Sequence, residues 1–128
     1  MKKVVVLLLL MVSTTVLAEW NKVGQSANGV FYVDIQSIKK KGKKAKIWIL
    51  SDYKSVHEYN GKRHLSSVER DEFDCSEDKF RVTDLSLYSE NMKGGFIVSS
   101  EYNLKESSIS VEPLTINDDI LKIACGKK

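Results

Sequence analysis

The side chains that could take part in catalysis or metal binding in this 128-residue sequence are those of two cysteines, two histidines and a pair of serines. Cys75 and Cys125 lack the CxxC spacing of a redox motif. His57 and His64 flank an Asn-Gly turn and would face each other across a hairpin, where neighbouring carboxylates make a surface metal site conceivable. Isolated histidines beside a turn are more often simply exposed, so we predict no metal ligand.

The common catalytic arrangements are missing from the sequence. Ser66 and Ser67 come shortly after His64, but side chains that are adjacent along a strand do not by themselves form a nucleophile–base pair. There is no glycine-rich phosphate loop and no HExxH zinc motif. The acidic stretch over residues 69–78 lacks the spacing of a calcium loop. We therefore predict a protein that is not an enzyme and needs no cofactor.

The N-terminal segment has the composition of a secretory signal peptide. Met1-Lys2-Lys3 is basic, residues 4–12 are uniformly apolar, and Val16-Leu17-Ala18 ends in a small residue at the predicted cleavage site. The apolar run is too short to span a bilayer, so no membrane span is expected. The sequence thus predicts a signal peptide over residues 1–18 and a single domain over residues 19–128. Cleavage lowers the formal charge from +3 to 3 − 2 = +1.

Export decides between the roles that the cysteine pair could have. Exported chains fold in an oxidising compartment, where two thiols are more often joined than bound to a metal. We therefore predict a disulfide between Cys75 and Cys125. For a loop of this length the entropy model gives a stabilisation of about 4 kcal/mol.

Alternation with a period of two predicts β-strands over most of the mature chain. Phe31, Val33 and Ile35 alternate with polar residues. Residues 47–50 are apolar on both faces, as in a central strand that a helix covers on one side. Turn signals separate these segments, at Asn28-Gly29, Lys41-Gly42, Asn60-Gly61 and Gly94-Gly95.

The last part of the chain changes to a helical period. Ile116, Ile120 and Ile123 are three to four residues apart, so they share one face of a helix. Thr115 has the position of an N-cap, and Gly126 has that of the terminating residue. The predicted fold class is α+β: a single antiparallel β-sheet, a meander of about six strands, with a C-terminal α-helix tethered to it by the disulfide.

Charge is distributed unevenly along the chain. One interpretation is that the lysine cluster and the acidic stretch over residues 69–78 are two solvated hairpin ends. The alternative is a basic patch for an anionic partner, such as a glycosaminoglycan or lipid headgroups. Nucleic acid is not an expected partner, because the lysines lack interleaved aromatic residues and the chain is exported. The lysines of the cluster are Lys39, Lys40, Lys41, Lys43, Lys44 and Lys46.

Short segments spread over nearly the whole mature chain carry a family resemblance. They are Trp20, Phe31-Tyr32-Val33-Asp34-Ile35, Ser37-Ile38, Ile47-Trp48-Ile49-Leu50, Asp52-Tyr53, Ser66-Ser67, Glu72-Phe73-Asp74-Cys75, Gly94-Gly95, Pro113 and Ala124-Cys125. In this order and spacing they resemble the surface-adhesin E family of small exported bacterial proteins. The resemblance implies a six-stranded antiparallel sheet with a C-terminal helix held by a disulfide. It also implies binding, because the family's namesake is an outer-membrane lipoprotein that binds host matrix proteins and plasminogen.

The cleavage site departs from the pattern of that namesake, which has a lipid-anchoring cysteine there. In this sequence Glu19-Trp20 directly follow Ala18. We therefore expect no lipid anchor and an exported protein that is periplasmic or secreted, with surface display left open.

Three functions are carried forward as hypotheses. A non-enzymatic binding module would contact host matrix proteins or plasminogen through the lysine cluster and the terminal Lys127 and Lys128. A terminal lysine resembles the zwitterionic ligand of plasminogen kringle domains. A soluble periplasmic accessory protein would instead pair with a bacterial envelope protein, or with a second copy as a homodimer. A small-molecule carrier or enzyme would need a closed pocket, for which Trp48, Tyr53 and Phe96 are candidates, although such aromatics more often belong to the core.

Overall fold

The computed structural model describes residues 19–127, in which the predicted alternation gives seven antiparallel strands and one helix. The elements are β1 (Asn21–Gln25), β2 (Gly29–Lys41), β3 (Lys44–Tyr59), β4 (Lys62–Asp74), β5 (Lys79–Tyr88), β6 (Ile97–Glu101), β7 (Ile109–Ser110) and α1 (Ile116–Cys125). Strands β1 to β6 lie side by side in chain order, and β7 pairs with the other end of β5 from β6. The predicted α+β meander with a C-terminal helix is confirmed. The predicted signal peptide lies outside the described residues.

Tight turns connect the longest strands at the predicted positions. Gly42, with a φ of 60°, lies in the β2–β3 turn. Asn60 and Gly61, with φ values of 48° and 75°, form the β3–β4 turn. Glycine and asparagine adopt this left-handed conformation most readily, which is why such residues favour hairpins. The two turns place β3 between β2 and β4 in the sheet.

Alternate side chains of β3 form the centre of the core. Ala45, Ile47 and Ile49 point to the face that carries α1, and each is at most 3% exposed. Because successive side chains of a strand point to opposite faces, Lys46 and Trp48 point to the other face, which carries no helix in residues 19–127. The buried neighbours that complete the core are Val33, Phe73, Ile120, Leu121 and Ala124.

Helix α1 begins and ends at the predicted residues. The side chain of Thr115 accepts a hydrogen bond from the backbone N–H of Asp118 at 3.2 Å, which satisfies a donor at the start of the helix. Gly126 ends the helix with a φ of 69°. Within residues 19–127, no helix is both long enough and apolar enough to cross a membrane.

The predicted disulfide joins the helix to the sheet. Cys125 lies on the last turn of α1 and is bonded to Cys75, which directly follows β4. The two Cα atoms are 5.7 Å apart, a usual separation for a disulfide. The bond therefore holds the C-terminal end of α1, while the buried Ile120 holds the middle of the helix against the sheet.

The alternation of buried and exposed side chains along β2 is interrupted at Ile35. Ile35 continues the pattern of Phe31 and Val33, yet it is 49% exposed. The pairing of β2 with β3 shifts between Asp34 and Lys39. A bulge of this kind interrupts the ladder and re-aims the side chains within it, so Ile35 no longer follows Val33 into the core.

Candidate functional site

Four lysines of the cluster lie at the β2–β3 hairpin with their side chains on the face of the sheet that carries no helix in residues 19–127. Lys39 is the register partner of Lys46, and Lys41 is that of Lys44. Directly opposed residues present their side chains to the same face. Lys44 and Lys46 flank the core residue Ala45, so all of these lysines point away from the helix. They form one patch of like charge.

These side chains border a groove of about 410 Å³, named here the lysine groove. Its lining residues are Lys39, Lys40, Lys41, Lys44, Lys46, Arg70 and Glu72. Nζ of Lys44 lies 3.5 Å from the carboxylate of Asp74. Nζ of Lys46 lies 3.9 Å from the carboxylate of Glu72. Lys39 and Lys41 form no ion pair within residues 19–127, so the groove carries an excess of positive charge.

Arg70 adds a cation to the lysine groove. Its guanidinium carbon lies 5.8 Å from the centre of the Trp48 ring, which is a cation–π arrangement. Its Nε is buried and has no hydrogen-bond partner within residues 19–127. The contact with Trp48 therefore restrains one positive charge beside the lysines.

Two lysines of the cluster, Lys40 and Lys43, lie in surroundings that differ from those of the other four. The ammonium group of Lys40 reaches Gly126 at the C-terminal end of α1, where the helix dipole favours a cation. Lys43 is exposed in the turn and does not line the groove. Lys39 and Lys41 are therefore the groove lysines that neither form an ion pair within residues 19–127 nor contact the end of the helix.

The predicted terminal contact residues differ from one another in their placement. Nζ of Lys127 donates hydrogen bonds to the carbonyl oxygen of Cys75 and to the carboxylate of Asp78, the latter at 3.0 Å. Its ammonium group is thus bound within the chain, next to the disulfide. Lys128 lies outside the described residues.

The two histidines face each other across the β3–β4 hairpin, as predicted. His57 and His64 are register partners, and their ring centres are 6.3 Å apart. Nδ1 of each ring lies 3.0 Å from a backbone carbonyl oxygen, that of Ser55 for His57 and that of Lys62 for His64. Residues 19–127 contain no group of three His, Cys, Asp or Glu side chains placed to hold a metal ion.

The three aromatic residues proposed for a closed pocket do not come together. Trp48 lines a depression on the face opposite α1, whereas Tyr53 lines one that borders the helix. Phe96 precedes β6 and is 69% exposed. A small-molecule pocket formed by Trp48, Tyr53 and Phe96 is therefore absent from the described residues, and the expectation that Phe96 belongs to the core was wrong.

A family match covers almost all of the described residues. The sequence profile of Surface-adhesin protein E matches residues 20–126. The chain belongs to the Surface-adhesin protein E family. Membership supports an adhesin-like role and confirms the resemblance that the ordered short segments indicated.

Solved structures of Haemophilus influenzae protein E have the same fold as this family member. Crystal form II aligns with a TM-score of 0.64 at 15% identity, covering 88% of this chain and 91% of that one. A second structure gives 0.63 at 16% identity, covering 88% of each chain. The protein from non-typeable Haemophilus influenzae gives 0.60 at 16% identity, covering 88% and 79%. At such identities the likeness shows the fold. No curated protein matches the sequence.

In this member of the Surface-adhesin protein E family, only the last part of the acidic stretch over residues 69–78 is a solvated hairpin end. Glu69 and Asp71 lie within β4, and Asp71 is only 1% exposed. Its register partners are Ile47 on β3 and Val82 on β5. The prediction of a solvated stretch was wrong for Asp71, because strand alternation turns every second residue of β4 into the core even in an acidic run, whereas Glu77 and Asp78 are exposed in the β4–β5 turn.

Burial raises the pKa of Asp71 well above its ordinary value of 3.8. The charge of Glu69 raises it further, and so does the hydrogen bond between the two carboxyl groups. The folded protein therefore holds a proton that the unfolded chain releases near pH 3.8. The stability linked to this proton is complete below the unfolded pKa and is lost as the pH rises towards the folded pKa.

We expect Asp71→Asn to be more stable than the wild type at neutral pH. The expected gain in the free energy of unfolding is about 1–3 kcal/mol, which is what a buried polar group costs when some of its hydrogen bonds are missing. The amide is neutral and still offers a donor to Glu69. Denaturant unfolding from about pH 3 to about pH 8 should show the difference shrinking as the pH falls. The exposed control Glu112→Gln should show no such trend, and a difference independent of pH would contradict the assignment.

Proposed function

We propose that the protein is an exported, non-enzymatic adhesin module that binds host matrix proteins or plasminogen. The lysine groove is the observation that carries this proposal. Lys39 and Lys41 form no ion pair within residues 19–127 and line the groove together with Arg70. Family membership supports binding rather than catalysis, and the predicted signal peptide over residues 1–18 supports export.

A cationic groove of this kind suits ligands that present several anionic groups in a row, such as the glycosaminoglycan chains of a matrix. Lysine ammonium groups on flexible stems can meet successive sulfate or carboxylate groups. Each exposed pair contributes roughly 0.2–1 kcal/mol, so several contacts are needed together. Such binding weakens with salt, because screening acts over about 8 Å at physiological ionic strength.

Plasminogen would be recognised through a terminal lysine in addition to the groove. Lys127 is held by Cys75 and Asp78, which leaves its ammonium group less available to a kringle domain. We therefore assign the terminal contact to Lys128 and the larger share of binding to the lysines of the hairpin.

The test compares the heparin binding of the wild type with that of Lys39→Ser/Lys41→Ser. Neither side chain forms an ion pair within residues 19–127, so stability should change by less than about 0.5 kcal/mol. Two contacts of roughly 0.5 kcal/mol each predict an affinity about fivefold weaker. Surface plasmon resonance on immobilised heparin and plasminogen, at several salt concentrations, measures the effect.

The matched control is Lys54→Ser/Lys105→Ser, which removes the same charge at exposed positions outside the groove. It should leave the affinity unchanged. Equal losses in the two double variants would mean that net charge, not the groove, drives binding. If the wild type binds neither immobilised ligand, the adhesin proposal fails.

A periplasmic accessory role with a bacterial envelope partner is the second candidate, and the edge of the sheet favours it. β6 is at one end of the strand order, and the neighbouring Phe96 and Ile97 are 69% and 59% exposed. An edge strand beside exposed apolar side chains offers a place where another chain can pair. A second copy of this chain would be one such partner. Protease treatment of intact cells separates the candidates, because it degrades only protein displayed on the surface.

A further inference from the structure

A second pocket lies apart from the lysine groove, on the side of the sheet that carries α1. It is an open pocket of about 280 Å³, named here the tyrosine–histidine pocket after Tyr53, Tyr59, His57 and His64, which line it. The ring of Tyr53 stacks on that of His57 with centres 3.8 Å apart. It meets the ring of His64 edge-on at 5.6 Å. One wall of the pocket is therefore aromatic.

The floor of the pocket is apolar. Leu87 of β5 is the register partner of Ser67 on β4. Leu85 is that of Glu69, and all four residues line the pocket. Leu104 lines it from the segment between β6 and β7, where its backbone N–H donates a hydrogen bond to β5. The stem of an organic ligand would find aliphatic side chains here.

His64 supplies an accessible acceptor to this pocket. The residue is only 4% exposed, and its Nδ1 lies 3.0 Å from the carbonyl oxygen of Lys62. Because a carbonyl oxygen only accepts, Nδ1 is the donor of this hydrogen bond, and in the tautomer with its single hydrogen on Nδ1 the lone pair of Nε2 is an acceptor. Nε2 has no hydrogen-bond partner within residues 19–127. Nε2 is not one of the buried atoms left without a partner, so it is accessible from the pocket, where it can accept a hydrogen bond from a ligand that donates.

Three carboxylates add to the acceptors around the pocket. Glu58, Glu69 and Glu106 line it, and none of them forms an ion pair within residues 19–127. Even Arg63, the register partner of Glu58 on the neighbouring strand, makes no ion pair with it. The pocket thus combines negative charge and hydrogen-bond acceptors with an apolar floor, the opposite of the lysine groove.

We propose that the tyrosine–histidine pocket binds a small organic cation, a primary amine on an aryl or alkyl stem. An ammonium group has three donors and no acceptor, which matches the acceptors of Glu69 and His64. The stem would lie on the aliphatic floor and against the ring of Tyr53, where a cation–π contact is also available. The pocket is smaller than the roughly 300–1,000 Å³ typical of drug-sized ligands, so the amine must be small.

The probe for this proposal is 2-phenylethylamine. A binding free energy of about 0.5 kcal/mol per non-hydrogen atom gives a Kd of about 1 mM for an amine with about 9 such atoms. An NMR titration of the purified protein should show saturable shifts of the Leu87 and Leu104 methyl groups. The neutral isostere 2-phenylethanol should bind at least about tenfold more weakly, because it lacks the charge-assisted hydrogen bonds.

Variants locate the amine in the pocket. Glu69→Gln should weaken its binding about tenfold. Glu106→Gln should weaken it less, and because Glu106 is exposed this variant tests the proposal even if Glu69→Gln destabilises the fold. Glu112→Gln, an exposed position outside the pocket, should leave the affinity unchanged. Equal binding of amine and alcohol, an unchanged affinity in both pocket variants, or no saturable shift would overturn the proposal.

Discussion

Replacing both cysteines by serine is expected to lower the free energy of unfolding by about 4 kcal/mol. Cys75 and Cys125 are 50 residues apart, so the disulfide removes many conformations from the unfolded chain and thereby raises its free energy. Small domains are typically stable by only about 5–15 kcal/mol. The Cys75→Ser/Cys125→Ser variant would therefore lose a large share of its stability.

Denaturant unfolding of the oxidised wild type and of the double variant measures this loss. Reduced wild type is the matched control, because it lacks the bond but keeps both sulfur atoms, and it should unfold together with the variant. A thiol reagent should label no cysteine before reduction. A loss below about 1 kcal/mol would contradict the entropic role assigned to the bond, and labelling of both native cysteines would contradict the bond itself.

The disulfide matters because the helix that it holds is short. Helix α1 has 10 residues, and isolated helices shorter than about 12–15 residues are marginal in water. Two features keep α1 on the sheet: the buried side chains of Ile120, Leu121 and Ala124, and the bond at Cys125. Without the bond, only apolar packing opposes fraying of the last turn.

Signals that act over a few residues explain the parts of the fold that could be predicted. Asn60-Gly61 favours a tight hairpin through its own backbone preferences. Thr115 and Gly126 cap α1 through hydrogen bonds within one turn of the helix. Such signals need no knowledge of the neighbouring strands, so the strand pattern, the hairpins and the helix followed from the sequence.

Features that depend on strand pairing could not be predicted in the same way. Asp71 is buried because β3 and β5 place Ile47 and Val82 beside it, and neither contact is visible in the acidic stretch itself. Ile35 is exposed because the register with β3 shifts after Asp34. Phe96 is exposed because it precedes an edge strand. In each case the outcome is set by residues distant in sequence.

The same contrast between local sequence signals and long-range strand pairing applies to the two candidate binding regions. The lysine groove was visible as a cluster in the sequence, because residues on both sides of a short turn stay together when the hairpin forms. The tyrosine–histidine pocket combines side chains of β3, β4, β5 and the segment that follows β6. Its one local signal was the pair His57 and His64 across a turn, and that signal gave no indication of the carboxylates or of the apolar floor.

The two regions lie on opposite faces of one sheet and carry opposite charges. Lys39 and Lys41 belong to the face without the helix, whereas Glu69 belongs to the face with it. A polyanion on the first face would not compete sterically with a small cation on the second. The proposed adhesin contact and the proposed amine site can therefore be tested separately, and the failure of one leaves the other standing.

Phe73→Ala is expected to lower the free energy of unfolding by about 3–5 kcal/mol. Phe73 is 0% exposed, and its ring centre lies 5.9 Å from that of Phe80, its register partner on β5. Truncation would leave a cavity between the sheet and α1 that Ala45, opposite it on β3, is too small to fill. The matched control is Phe96→Ala, which removes the same atoms from a residue that is 69% exposed and should change stability by less than about 0.5 kcal/mol. Denaturant unfolding of both variants measures the contrast, and similar losses would contradict the placement of one phenylalanine in the core and the other at the surface.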